Sequence, residues 1–483
     1  MPNQQNHEDD PIRISCYNAA RQRYGDDVPE AVISRLEEEL QHIVRNGFSD
    51  PYIVAARIVD KANADGFTMA IRGSVGSSIV AYLLGITEVN PLPPHYQCLE
   101  CRHVEWAADA VDSGFDLPSE LCAKCGGKFV GDGHRIPYQT FFGADGNTSP
   151  NIDLYTAWEY EEHANNELNY QMHNSIWRSG IPVPDIIPHN AASVLKRVHT
   201  LTGIDPRSIP MNDPKALSLF RSTDAIGVTP DQIKSKVATY GIPEMGIGPV
   251  RDMLQMTQPS SFSELVQISG LSHGVGTWDG NARERIQEGA GTLRTSIACR
   301  DQLMMDLMKF GVDMETAYSI TVSKRKDLPI AESVEAMLES KVPAWYMESY
   351  RKVRYLFPKS HAVSYVISAV RYAFYKLHFP MEFYAAYFSV HGIDVDMELC
   401  TRGERDIRNS PEEVRPEGYH TLQGMAPEKA LQEMALELAL EMNARGMRIR
   451  KSSHAGGRYV VESELYGTLE IPFIARQQSH RVI

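Results

Sequence analysis

The sequence predicts a mixed α/β fold, with short strands and a cysteine-bearing insert early in the chain and a mainly helical region after it. Three observations carry this. The stretch FTMAIRGSVGSSIVAYLLG reads as a strand, a Gly/Ser turn and an apolar helix. Two CxxC pairs stand 20 residues apart, Cys98-x2-Cys101 and Cys122-x2-Cys125. From about 186 to 395, the chain reads mostly helical, broken by Gly/Pro turns such as GIDPRSIP and YGIPEMGIGP.

The elements follow in order. Residues 28–62 are expected to be helical, because VPEAVISRLEEELQHIV carries apolar residues at helical spacing. NPLPPHYQ is a proline-rich connection into the cysteine pairs. Strands are expected at 136–142 and in NIDLY, whereas 160–182 is polar without a clear period. Residues 427–446 read as an amphipathic helix, and YVVESELYGTLEIPF as two short strands.

Composition bounds the class. The 483 residues are 43% hydrophobic and 23% charged, which is ordinary for a globular protein. There is no run of 18 apolar residues, so no membrane span is expected. The polar, acidic start argues against a secretory signal, and a cytoplasmic setting is expected. Seven cysteines, four of them in CxxC pairs, suit a metal site in a reducing compartment better than a disulfide scaffold.

The net charge of −14 argues against a protein coated with DNA, but a local stretch runs the other way. Residues 341–380 hold seven Lys or Arg (Lys341, Arg351, Lys352, Arg354, Lys359, Arg371, Lys376) against Glu348 alone, with tyrosines and phenylalanines between them. Two readings stand. One is a helical pair with a solvated basic face and an aromatic core. The other is a surface for nucleic acid, where cations meet phosphates and rings stack on bases.

Three motifs carry chemistry. Cys98, Cys101, Cys122 and Cys125 can form a tetrahedral S4 site for Zn²⁺, which leaves no open position and is therefore structural. The alternative is four reduced thiols. In Arg72-Gly73-Ser74-Val75-Gly76-Ser77-Ser78, glycines admit close approach of an anion, and hydroxyls, amides and Arg72 can bond a phosphate or triphosphate. It lacks the Gly-Lys-Ser/Thr ending of a Walker loop, and a plain turn is the alternative. Asp153 and Asp185 are candidates for Mg²⁺, which binds through one or two carboxylates plus substrate phosphates. A cap or turn role is the alternative for each.

The order of these pieces resembles the C-terminal polymerase portion of the PolC-type DNA polymerase III alpha subunit, the replicative polymerase of low-GC Gram-positive bacteria. RGSVGSS, ITEVNPLPPHY, the four cysteines, SGFDLP, DGHRIP, TGIDPRSIP, GVTPDQI, FSELVQISGLSHG and FPKSHAVSYVISAVRYAFYKLHFP carry the resemblance across most of 11–475. It implies a polymerase-beta-like nucleotidyltransferase palm, a zinc knuckle and helical fingers. It implies dNTP and primer-template DNA as substrates, Mg²⁺ and Zn²⁺ as metals, and other replisome subunits as partners. Arg72, Gly73, Ser74, Gly76, Ser77 and Ser78 would then meet the triphosphate. Asp153 and Asp185 would be the catalytic, magnesium-holding carboxylates. Ser272, His273, Lys359 and His361 would lie near the nucleotide. The implied units are 1–97 (helices and first part of the palm), 98–135 (knuckle), 136–200 (shortened palm), 201–395 (fingers) and 396–483 (C-terminal helical and β region).

The chain departs from this pattern. The family's Asp-Ile-Asp reads Asn151-Ile152-Asp153, which costs one negative ligand. Asp153 and Asp185 are only 32 positions apart, where the family places a thumb and more palm. Pro184 and Pro188 flank Asp185 and would strain a strand there. Neither the family's amino-terminal exonuclease and PHP-type regions nor its helix-hairpin-helix tail is matched. The expected function is template-directed DNA synthesis. The alternative is a catalytically impaired, zinc-stapled remnant that binds nucleotide or DNA without polymerising.

Overall fold

The computed structural model describes residues 10–108, 110–143, 145–174, 180–408, 427–452 and 459–471. Three helices open it: α1 (Pro11–Tyr24), α2 (Glu30–Arg45) and α3 (Ser49–Ala64). Asp10 caps α1 by accepting from the Ile12 amide at 3.1 Å, with Pro11 in the first turn, where its missing N–H costs nothing. On α2 the helical spacing is realised: Val32, Leu36, Leu40 and Ile43 are buried along one face, and so is Glu39.

The predicted strand, turn and helix follow as β1 (Ala70–Arg72), a 3-10 turn (Ser74–Ser77) and α4 (Ile79–Leu83). The cysteine-bearing insert is a three-stranded antiparallel sheet of β2 (His95–Cys98), β3 (Val104–Trp106) and β4 (Phe129–Asp132), in the order β3-β2-β4. A second sheet joins β1 to β5 (Asp153–Thr156) and β6 (Asp185–Pro188) in the order β1-β5-β6, with β1 antiparallel and β6 parallel to β5.

Two local expectations are corrected. Residues 136–142 are not a strand: they hold a short helix, Gln139–Phe142. Tyr138, Phe141 and Phe142 are buried at the i, i+3, i+4 spacing of a helix, and Pro137 precedes them. The polar stretch after 160 contains a helix, Glu161–His173, whose inward stripe is Ala164, Leu168 and Gln171. That stripe has too few apolar residues to show as a period.

Pro184 and Pro188 do not strain β6. The amides of Asp185 and His189 donate to the Ile152 and Thr156 carbonyls of the β5 segment at 2.9 and 2.8 Å. Odd-numbered amides therefore face β5, and 184, 186 and 188 face the outer edge. Proline occupies positions whose N–H the ladder does not use.

Beyond the sheets the chain is mainly helical. Lys359–His378 and Pro380–His391 run through the middle of the largest apolar core, which takes in Val89 and Ile136, runs from Val194 to Ile471 and includes the helix Pro427–Ala444. A second core joins α1–α4 to 138–168, and a third lies within 297–356. The chain then forms an antiparallel meander of β7 (Met447–Lys451), β8 (Tyr459–Ser463) and β9 (Gly467–Ile471), of which β7 was not foreseen. Among the described residues no helix is long and apolar enough to cross a membrane.

Candidate active site and cysteine cluster

One row of the β1-β5-β6 sheet gathers the acidic candidates. Arg72 pairs with Asp153, and Asp153 with Asp185, so the two aspartates leave the same face of neighbouring strands. Asp153 is half-buried and Asp185 exposed. Asn151 is exposed, and its Nδ2 donates to Asp153 Oδ1 at 2.9 Å, leaving its own carbonyl oxygen as an acceptor. Two carboxylates and one amide oxygen form a hard-oxygen donor set, which suits Mg²⁺ together with phosphate oxygens. The side chain of Arg72 lies outside the described residues.

The Gly/Ser turn closes onto this row. Gly73 has φ +131°, a conformation that a side chain would strain. A carbon placed on it would lie 3.7 Å from Asp153 Oδ2 and 3.7 Å from His361 Nε2. The glycine thus stands between the carboxylate of one sheet and the first turn of the Lys359–His378 helix. At Gly76 a side-chain carbon would come 3.1 Å from Ser360 and 3.1 Å from Val89, so the turn packs directly on that helix.

The remaining members of the motif face inward. Ser74 is half-exposed, whereas Ser77 and Ser78 are fully buried. Ser78 caps α4 through the Ala81 amide at 3.2 Å and donates to Glu39 Oε2 at 2.7 Å. Glu39 also accepts from the Ile79 and Val80 amides at 3.1 and 3.3 Å. The first amides of α4 are thereby engaged by a carboxylate of this chain. Of the predicted triphosphate contacts, the structure brings Gly73 to Asp153 and buries Ser77 and Ser78. Sequence reasoning missed Glu39 because it sits in a plain amphipathic helix with no motif around it.

Among the fingers candidates, His361 is beside Gly73. Its ring stacks on Phe357 at 5.3 Å, and Phe357 stacks on His273 at 4.4 Å. His273 places Nδ1 2.8 Å from the Ser269 carbonyl and Nε2 3.2 Å from Glu244 Oε2. Ser272 donates to the Ser269 carbonyl at 3.0 Å. Lys359 points elsewhere: Nζ donates to the His134 carbonyl at 2.6 Å and its amide to Asp301 at 2.6 Å. Burial holds its ammonium below the usual lysine range. The expected nucleotide contact by Lys359 is, in this structure, a tie between the 98–135 insert and the helical region.

The basic stretch 341–380 is mostly spent within the fold. Arg351 pairs with Glu335 and Glu339, and Lys352 with Glu348. Arg371 grips Glu88 with two bonds of 2.7 and 2.6 Å. Lys376 is 0% exposed and bonds the Ala238 and Tyr240 carbonyls and Glu441. Lys341 donates to the Gly311 carbonyl. Lys359, Arg371 and Lys376 are taken up inside the fold, while Lys341, Arg351, Lys352 and Arg354 are exposed, as a helical pair with a solvated basic face and an aromatic core expects; the nucleic-acid reading is left with those four.

The four cysteine sulfurs lie within 4.8 Å of one another, with Cys98 Sγ 3.4 Å from Cys125 Sγ and Cys101 Sγ 3.6 Å from Cys122 Sγ. A tetrahedral Zn–S₄ site of ordinary bond length needs sulfurs about 3.8 Å apart, so the cluster fits the ion. The turns suit it too. Arg102 and Gly126 take positive φ at 62° and 75° after each CxxC. The Cys101 amide points at Cys98 Sγ, 3.5 Å away. That amide is the main cause that brings the Cys98 thiol down to about 7.

Two family models match the chain. The model described as "Bacterial DNA polymerase III alpha NTPase domain" matches residues 10–172. The one described as "Bacterial DNA polymerase III alpha subunit finger domain" matches 185–326. The chain belongs to the bacterial DNA polymerase III alpha family. Within it, similar relatives carry the name DNA polymerase III PolC-type. The protein from Bacillus cereus is 36% identical over 97% of this chain and 39% of its own length. That from Halalkalibacterium halodurans is 37% identical over 92% and 37%, and that from Staphylococcus saprophyticus 35% over 96% and 38%. The chain thus spans about two fifths of the length of these relatives. The Bacillus alignment covers 564 positions against the 483 residues here, so that relative holds at least 81 residues in the matched stretch that this chain lacks.

Proposed function

We propose that this chain performs template-directed DNA synthesis, adding a dNTP to a primer 3′-hydroxyl with release of pyrophosphate. One observation carries the proposal: Gly73 lies beside Asp153 and His361, with Asp185 level with Asp153 on the next strand, against the first turn of the Lys359–His378 helix. In this reading the turn cradles the triphosphate, and the helix with Ser272 and His273 bounds the space for base and sugar. Residues 1–97 and 136–200 form the palm, 98–135 the zinc knuckle, 201–395 the fingers, and 396–483 a C-terminal unit braced on them.

The primer oxygen forms the new bond to the α-phosphorus, the bond to the bridging oxygen breaks, and the hydroxyl proton passes to solvent. Mg²⁺ held by Asp153 and Asp185, with the Asn151 carbonyl beside them, would supply Lewis-acid stabilisation of the developing charge. Asn151 orients Asp153 through its 2.9 Å bond. Zn²⁺ on Cys98, Cys101, Cys122 and Cys125 would staple the knuckle and take no part in transfer. Sequence is read by base pairing, so contacts to backbone and shape suffice. The partners are dNTP, primer-template DNA and other replisome subunits, in a bacterial cytoplasm.

Primer extension at low salt with Mg²⁺ and four dNTPs tests this, with Asp153→Asn alongside to expose a contaminating polymerase. Extension that vanishes in the variant supports the proposal. Absence of extension from a cooperatively melting, zinc-containing protein overturns it and leaves a binding module, as Asn151 would then explain.

A further inference from the structure

We infer that Arg35 and Glu39, an ion pair on α2 whose carboxylate is fully buried, are positioning residues that shape the 73–78 turn and thereby set its affinity for a nucleoside triphosphate. The inference rests on the reading of that turn as the triphosphate cradle. Glu39 is 0% exposed and takes four donors: Arg35 Nε at 2.6 Å, Ser78 Oγ at 2.7 Å, and the Ile79 and Val80 amides at 3.1 and 3.3 Å. The other edge of Arg35 donates to the Ser77 carbonyl at 2.7 Å and to the Ile136 carbonyl at 3.1 and 3.2 Å. One charged pair thus grips the end of the turn, the start of α4 and the chain leaving the cysteine insert.

An apolar pair would fill the same space without the cost of burying charge. It would not fix the Ser77 carbonyl or occupy the α4 amides. With those amides taken and a carboxylate behind them, a polyphosphate is excluded from the α4 end. It is directed to Gly73, where Asp153 and His361 stand.

The test is calorimetric titration of the 483-residue chain with dATP in Mg²⁺, and competition by inorganic tripolyphosphate, for wild type, Glu39→Gln and Arg35→Lys. In Glu39→Gln an amide NH₂ faces the Ile79 and Val80 donors. In Arg35→Lys one ammonium cannot bond both carbonyls. Each is expected to raise the dATP dissociation constant and the tripolyphosphate constant together, by roughly tenfold for a lost charge-assisted contact. Primer-template affinity and zinc content stay as in wild type. A purely structural pair would lower the fraction of binding-competent molecules, read as stoichiometry, and leave both constants unchanged; that result overturns the inference. Should Glu39→Gln fail to fold, unchanged constants in Arg35→Lys overturn it equally. If tripolyphosphate does not compete with dATP in the wild type, the cradle reading itself falls, a separate outcome.

Discussion

Glu441→Gln removes the charge that faces the Lys376 ammonium, and its cost can be worked from the contacts. Both residues are 0% exposed, and their salt bridge is 2.8 Å long. Lys376 Nζ keeps the Ala238 and Tyr240 carbonyls at 2.8 and 2.7 Å after the change. Those are neutral acceptors, so the ammonium stays hydrogen-bonded but its charge is no longer balanced. The Tyr384 hydroxyl, which donates to the other Glu441 oxygen at 2.8 Å, keeps an acceptor only if the Gln carbonyl turns towards it. That turn aims the NH₂ at Lys376. Breaking one side of such a pair costs about 3–5 kcal/mol. For 483 residues unfolding together, that is a melting point lower by roughly 3–5 °C. Differential scanning calorimetry at neutral pH reads it. Lys376→Met with Glu441→Leu removes both charges and is expected to recover most of the loss. A Glu441→Gln protein melting within about 2 °C of wild type, or a double variant less stable than the single, would refute this account of the pair.

Three further outcomes are expected. Restoring the missing carboxylate with Asn151→Asp should raise primer extension by about tenfold or more, because a charged ligand replaces a neutral one; a rate no higher than wild type removes Asn151 as the limiting ligand. Stripping metal with a strong chelator, or Cys122→Ser, should lower the melting temperature and release close to one zinc per chain, measured by atomic absorption; an unmetallated protein of unchanged melting point counts against a structural ion. His134 is one pH-sensitive group: burial, with Lys359 nearby, holds its imidazole down to about 3 from an ordinary 6.5. The unfolded chain therefore binds more protons between those values, and stability falls as pH drops through that window, by on the order of 4 kcal/mol at its lower end. His134→Gln should flatten this slope in urea titrations at pH 4 to 7, and an unaltered slope would exonerate the residue.

What was legible in the sequence was local. The strand, Gly/Ser turn and helix at 67–85 could be read because small residues separate two apolar runs. The cysteine cluster could be read because spacing alone brings its thiols together. The Glu161–His173 helix could not, since Gln171 supplies a third of its buried stripe. Nor could the fate of the basic residues: Glu88 lies 283 positions from Arg371, and Glu441 lies 65 from Lys376. A local count of charge contains no record of such partners. Ser77 and Ser78 looked like ligands for the same reason, because the carboxylate that claims Ser78 sits 39 residues earlier.

The prolines at 184 and 188 bear on what the sheet can become. The free edge of a three-stranded sheet normally offers a comb of donors to any passing strand, from this chain or another. On β6 that comb has lost two of three teeth, and Ile186 alone retains an outward N–H among positions 184, 186 and 188. A fourth strand docking there would find one donor where three are usual. The sheet that carries Asp153 and Asp185 is terminated by its own backbone chemistry. Among the described residues the sheet is three strands wide, and at this edge it offers a neighbouring strand little to pair with.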